Sequence, residues 1–101
     1  MGTASYLLKG TERGEEASFA STAHGAGRVM SRAGARRQFD ARHVISELAK
    51  KGIVIKAASG RIVEEESPDS YKDVHRVAQV SHEVGLAEKV MMSSPIAVAK
   101  G

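Results

Sequence analysis

Asp40-Ala41-Arg42-His43-Val44-Ile45-Ser46-Glu47-Leu48-Ala49-Lys50-Lys51-Gly52-Ile53-Val54-Ile55 is the stretch that sets the fold class. Val44, Ile45, Leu48 and Ala49 recur at helical spacing, so a helix here has one apolar side. Asp40 offers an N-cap carboxylate, and Lys50-Lys51-Gly52 is the run of cations and glycine with which helices end. The β-branched Ile53, Val54 and Ile55 follow at once and predict a short buried strand. Helix and strand in direct succession make the class α+β, expected as two or three helices packed on mixed short strands.

Reading outward from this unit, Tyr6-Leu7-Leu8 predicts a strand ended by Lys9-Gly10. The polar residues Thr11 to Glu16 predict a turn, and Ala17-Ser18-Phe19-Ala20 a second strand. Ser21 to Gly27 is small and polar and reads as a loop feeding a helix that starts near Arg28 and runs through Met30 and Ala33 to Arg37. Downstream, Arg61-Ile62-Val63 is expected to continue the sheet after a Ser59-Gly60 turn. Ser67-Pro68-Asp69 sets up another helix, with Val74, Val77, Ala78 and Val84 inward and Gly85 as its end. Val90, Met91, Met92, Ile96 and Val98 lie on both sides of Pro95 and predict strand, kink, strand.

Composition limits what such a chain can do. Its 101 residues are expected to form one domain, and two Tyr, two Phe and no Trp predict a thin core. The absence of cysteine excludes disulfides, thiolate metal sites and cysteine nucleophiles within these residues. No apolar run approaches the roughly 18 residues of a membrane span, and Met1 to Tyr6 lacks a cationic segment before an apolar one. A soluble, cytoplasmic chain without a membrane partner is expected.

The net charge of +3 is modest, but its placement is informative. Arg28, Arg32, Arg36, Arg37 and Arg42 crowd one stretch, while Glu64-Glu65-Glu66 and Asp69 form an acidic run later. The basic stretch reads either as a solvated helix face or as a site for phosphate or nucleic acid. Ser21-Thr22-Ala23-His24-Gly25-Ala26-Gly27-Arg28 sharpens the second reading. Glycines beside a single histidine let backbone amides approach an anion, and a helix start directly after them favours phosphate. Arg28, Arg32 and Arg36, spaced i, i+4, i+8, would extend that field along the helix. His24 is then a base, a metal ligand, a nucleophile toward phosphorus, or simply a capping residue, and residue physics leaves these open. His75 and His82 are seven apart, a poor spacing for a metal pair, no cluster of carboxylates has glycosidase or EF-hand spacing, and no phosphate-loop pattern occurs.

At this loop the sequence resembles the RtcB family of RNA-splicing ligases. His24-Gly25-Ala26-Gly27-Arg28-Val29-Met30-Ser31-Arg32 is similar to the family signature. Met1-Gly2-Thr3-Ala4-Ser5-Tyr6 resembles the segment that follows a Pro-Gly-Ser in the family. Ser70-Tyr71-Lys72-Asp73 resembles a later motif, and Val98-Ala99-Lys100-Gly101 the terminal Val-X-Lys-Gly.

The resemblance implies a function in detail. His24 is expected to attack the α-phosphorus of GTP and carry a guanylyl-histidine, with Gly25, Ala26 and Gly27 holding the GMP. Met1, Ser5, Tyr71 and Lys100 are expected around the guanine, and Arg28 and Arg32 on phosphates of nucleotide or RNA. GMP would then activate an RNA 3′-phosphate, formed from a 2′,3′-cyclic phosphate where needed, for joining to a 5′-hydroxyl in tRNA splicing or RNA repair. Without the resemblance, Tyr71 reads as a packing residue, Ser5 as a strand serine and Lys100 as a terminal charge.

The family's Mn²⁺ ligands, a Cys, several His and an Asp, have no counterparts here, so no metal ligands are expected in this chain. Residues 1–101 are accordingly expected to be a C-terminal segment of an RtcB-like ligase domain without its upstream metal-binding part. A truncated product, a misassigned start or a separated segment would account for the start at Met1. Alone, the chain is expected not to ligate. Its expected partners are the upstream portion, RNA such as tRNA exon halves, and an activating protein. The competing readings are a non-catalytic nucleotide- or RNA-binding module and an unstable remnant with exposed Met91 and Met92.

Overall fold

The computed structural model describes residues 1–101. In chain order the elements are β1 (Ser5–Gly10), α1 (Glu12–Ser18), α2 (Arg32–Gln38), α3 (Ala41–Lys50), β2 (Val54–Ala57), α4 (Gly60–Glu65), a 3-10 turn (Pro68–Ser70), α5 (Val74–Glu83), β3 (Ala87–Ser93) and β4 (Ala97–Lys100). The class is α+β, as the sequence predicts. The chain divides into two compact units: Met1–Thr3 with Arg28–Tyr71 and Ser94–Gly101, and Ala4–Gly27 with Lys72–Ser93.

The first unit is organised by α3. Asp40 accepts from the His43 amide at 3.0 Å, and the chain leaves the helix with Ile53 N donating to the Leu48 carbonyl and Gly52 at φ +76°. Val44, Leu48, Ile53 and Val63 form its core, with Met1, Phe39, Ala41, Ile55, Ala57 and Val98 packed against them. Of the predicted apolar stripe, Val44 and Leu48 are buried while Ile45 and Ala49 face outward. β2 pairs with β4 in parallel, Val54 opposite Ala97 and Ala57 opposite Lys100, which fixes Lys100 at the end of that ladder. Arg61-Ile62-Val63 does not continue the sheet. Ser59 accepts from the Ile62 amide and starts α4 instead, which turns Val63 into the core.

In the second unit β1 pairs antiparallel with β3, Ser5 opposite Ser93, with an irregularity between Leu7 and Leu8. The predicted turn and second strand over Thr11 to Ala20 are a correction: residues Glu12–Ser18 are helical. The Thr11 side chain accepts from the Gly14 amide, Glu12 and Glu15 favour the positive helix start, and Phe19 closes the helix in the left-handed region at φ 53°. Gly14 is required by close approach, since a Cβ there would lie 2.3 Å from the Leu86 carbonyl oxygen. α5 is capped by Asp73, one turn later than Ser67-Pro68-Asp69 predicts, and ends at Gly85 with φ +78°. The buried residues of this unit are small, Gly14, Ala78, Ser81 and Ala87, whereas Val90, Met91 and Met92 of β3 are exposed. The thin core predicted from composition is most evident here. α1 and α4, both short, bring the helices to five.

Candidate nucleotide site

The first unit gathers five of its cations on two glutamates. α4 ends at Glu66, and the 3-10 turn that follows reverses the chain so that Tyr71 forms an isolated antiparallel bridge with Arg28. Val29 N donates to the Ser70 carbonyl beside it at 2.9 Å. Arg28 then reaches in three directions: Nε to the Met30 carbonyl at 3.0 Å, Nη1 to the Tyr71 hydroxyl at 3.0 Å, and Nη2 to the Glu65 carbonyl. Its guanidinium carbon stands 4.7 Å from the Tyr71 ring centroid, a cation–π arrangement. The Tyr71 hydroxyl in turn donates to Glu66 Oε2.

Glu66 also faces Arg28 and Arg32 at 3.7 Å and Lys100 at 3.8 Å. Glu65 accepts from Arg36 and, at 3.2 Å, from Arg61, with Arg32 at 4.0 Å. Five cations thus surround two carboxylates. This arrangement corrects the expected arginine face. α2 begins at Arg32 behind a Ser31 cap that accepts from the Gly34 amide, so Arg28 precedes the helix and the helix start does not directly follow the glycine loop. The guanidiniums are drawn to Glu65 and Glu66 because unpaired charge in a half-buried position is costly.

These contacts move the ionisations. The Arg36 hydrogen bond holds Glu65 below its ordinary 4.5. Burial pushes Glu66 upward, but the Tyr71 hydroxyl, Lys100, Arg28 and Arg32 outweigh it and Glu66 also lies below 4.5. Burial first, and then Glu66, raise Tyr71 above 10 and keep its hydroxyl a donor at neutral pH. A carboxylate with a depressed folded pKa contributes stability that is complete above its unfolded pKa and is lost as pH falls through the folded value. The melting temperature should therefore hold from neutral pH down to the ordinary glutamate range and fall below 4.5. Melting curves of Glu66→Gln across the same pH series should fall less steeply, and an identical slope would refute the assignment.

Met1, Arg28, Arg32, Tyr71 and Lys100 all belong to the first unit. Met1 packs on the Leu48 core, and Arg28, Arg32, Tyr71 and Lys100 converge on Glu66. Ser5, His24, Gly25, Ala26 and Gly27 belong to the second unit. Ser5 is the exposed first residue of β1. His24 and Gly25 are exposed in the loop, Ala26 is half-buried, and Gly27, at φ +78°, accepts from the Lys72 amide at 2.9 Å. Open space surrounds Gly25: nothing lies within 4 Å of where a Cβ would be. No three His, Asp or Glu side chains converge in a way that could hold a metal ion. Glu65 and Glu66 were not singled out by sequence reasoning. The signal for them was present, an acidic triplet matching in charge the arginine-rich stretch some thirty residues earlier.

Comparison with known proteins gives this geometry its context. The sequence profile of the family described as tRNA-splicing ligase RtcB matches residues 1–101. The match extends over the full chain, and the chain belongs to the RtcB tRNA-splicing ligase family. It is similar to the tRNA-splicing ligase RtcB of Pyrococcus furiosus, with 52% identity over 101 residues, covering 100% of this chain and 10% of that protein. The chain thus spans about a tenth of the length of the curated relative that it matches.

Proposed function

We propose that residues 1–101 are the GMP-accepting segment of a GTP- and Mn²⁺-dependent ligase that joins RNA 3′-phosphate or 2′,3′-cyclic phosphate ends to 5′-hydroxyl ends. The observation that carries this reading is 52% identity to a tRNA-splicing ligase extending over every residue of the chain. The local chemistry supports it. His24 is an exposed imidazole beside a glycine with open space around it, so a phosphate can reach the nitrogen and neighbouring amides without side-chain obstruction. A neutral imidazole nitrogen attacks the α-phosphorus of GTP, forming a P–N bond as pyrophosphate leaves. The guanylyl group then passes to an RNA 3′-phosphate, and a 5′-hydroxyl displaces GMP.

Guanine recognition falls to Met1, Ser5, Tyr71 and Lys100, and phosphate contacts to Arg28 and Arg32. In this reading the Mn²⁺ ligands belong to an upstream portion, which would supply the Lewis-acid chemistry, and RNA such as tRNA exon halves is the substrate. The experiment is incubation with α-labelled GTP and Mn²⁺ of the chain alone, of a separately produced upstream portion, and of the two mixed. Acid-labile label on this chain in the mixture only is expected. Absence of label in every arm, with both partners folded, would overturn the reading and leave a nucleotide- or RNA-binding module in its place.

A further inference from the structure

Glu66 occupies a position that its sequence context does not advertise. It is the last residue of an acidic triplet, yet its side chain is only 15% exposed and touches every cation and hydroxyl of the Tyr71 cluster. Its two oxygens divide the work. Oε2 accepts the hydrogen bond of the Tyr71 hydroxyl and stands 3.8 Å from Lys100 Nζ. Oε1 faces Arg28 and Arg32 at 3.7 Å each.

Two consequences follow for anything bound at this cluster. The first concerns Tyr71: its hydroxyl is fixed between Arg28 and Glu66, and one ring face carries the Arg28 guanidinium, so the plane in which the ring meets a ligand is set. The second concerns Lys100, whose ammonium is held by charge at a separation too long for a hydrogen bond. Its N–H donors stay available to a ligand acceptor while its position is restrained. Guanine presents an acceptor at O6, where adenine presents an amino donor, so a lysine held in this way discriminates between the two.

We propose that Glu66 is the positioning residue of the base-recognition site, orienting the Tyr71 ring and the Lys100 ammonium so that the site takes guanine in preference to adenine. This rests on the nucleotide-site reading proposed above. Removing the charge loosens both partners at once, because Tyr71 exchanges a charged acceptor for a weaker amide oxygen and Lys100 loses its counter-charge.

The test uses the full-length ligase that contains this segment, with guanylylation followed over concentration series of GTP and of ATP. Glu66→Gln should raise the KM for GTP about 10- to 100-fold and erode the preference for GTP over ATP, with the maximal rate changed less than about 3-fold, as expected for loss of a charged hydrogen bond used in binding. Glu66→Asp keeps the charge on a shorter arm and should restore the preference in large part, which also guards against a Gln variant that fails to fold. A residue that only stabilised the fold would lower the melting temperature and leave KM and base preference unchanged well below it; that result overturns the proposal. Tyr71→Ala and Lys100→Ala separate the two levels. If they raise the KM and the Glu66 variants do not, the role of Glu66 alone fails; if none of them changes it, the nucleotide-site reading fails with it.

Discussion

Replacing His24 by alanine in the full-length ligase should abolish transfer of GMP from GTP to the protein, a loss of at least about 10⁴-fold in the guanylylation rate. The size follows from the chemistry, because a nucleophile that forms the covalent bond leaves nothing behind when removed. No cysteine is present in these residues to substitute, and alanine has no nitrogen to attack phosphorus. His24 is exposed in a loop, so the change creates no cavity and the melting temperature should be unaffected. RNA binding, measured separately by titration with a labelled 3′-phosphate strand, should also survive. Acid-labile label still appearing on His24→Ala would move the nucleophile elsewhere and sink the assignment.

How much of this was legible in the sequence depends on the range of the interaction concerned. Asp40 to Ile55 was readable because an N-cap, an apolar stripe, a terminal glycine and β-branched residues act within a few positions of one another. The kinked pair of strands about Pro95 was readable for the same reason. Arg61-Ile62-Val63 misleads because two β-branched residues outweigh the Ser59 cap in a propensity argument, while burial of Val63 beside Leu48 decides the outcome. Ala17 to Ala20 misleads similarly, although Thr11, Glu12 and Glu15 carry a helix-start signal.

The candidate site divides along the same line. The glycine-flanked histidine is a local pattern and could be singled out. The convergence of Arg28, Arg32, Arg36 and Lys100 on Glu65 and Glu66 is not local, since it depends on α4 ending where it does and on the turn at Pro68–Ser70. From the chain alone, the arginines project along a helix toward solvent. In the fold they are neutralised in part before any ligand arrives, and any RNA or nucleotide phosphate there must compete with two carboxylates.

The largest stability loss expected in the first unit comes from Leu48→Ala. Leu48 is 2% exposed in one core with Val44, Ile53 and Val63, so truncation removes buried apolar surface and leaves a cavity in that core. A cost of about 2–5 kcal/mol is expected, equivalent to about 30- to 4,000-fold faster amide exchange across α3, whereas Leu48→Met should stay within about 1.5 kcal/mol. Leu48 also seats the segment that carries Met1. A Cβ on Gly2 would lie 2.5 Å from Leu48 Cδ2, and Gly2 sits at φ +83°, where an L side chain is strained. Gly2→Ala alone should therefore destabilise by overpacking. In the Leu48→Ala background the clash disappears and only the backbone strain and a 3.2 Å approach to Pro68 Cγ remain. The double variant should consequently be less destabilised than the sum of the two single variants. Exchange rates of the α3 amides in all four proteins measure this coupling; strict additivity would mean that Gly2 and Leu48 do not interlock, and that the Met1 segment is seated by something other than the core.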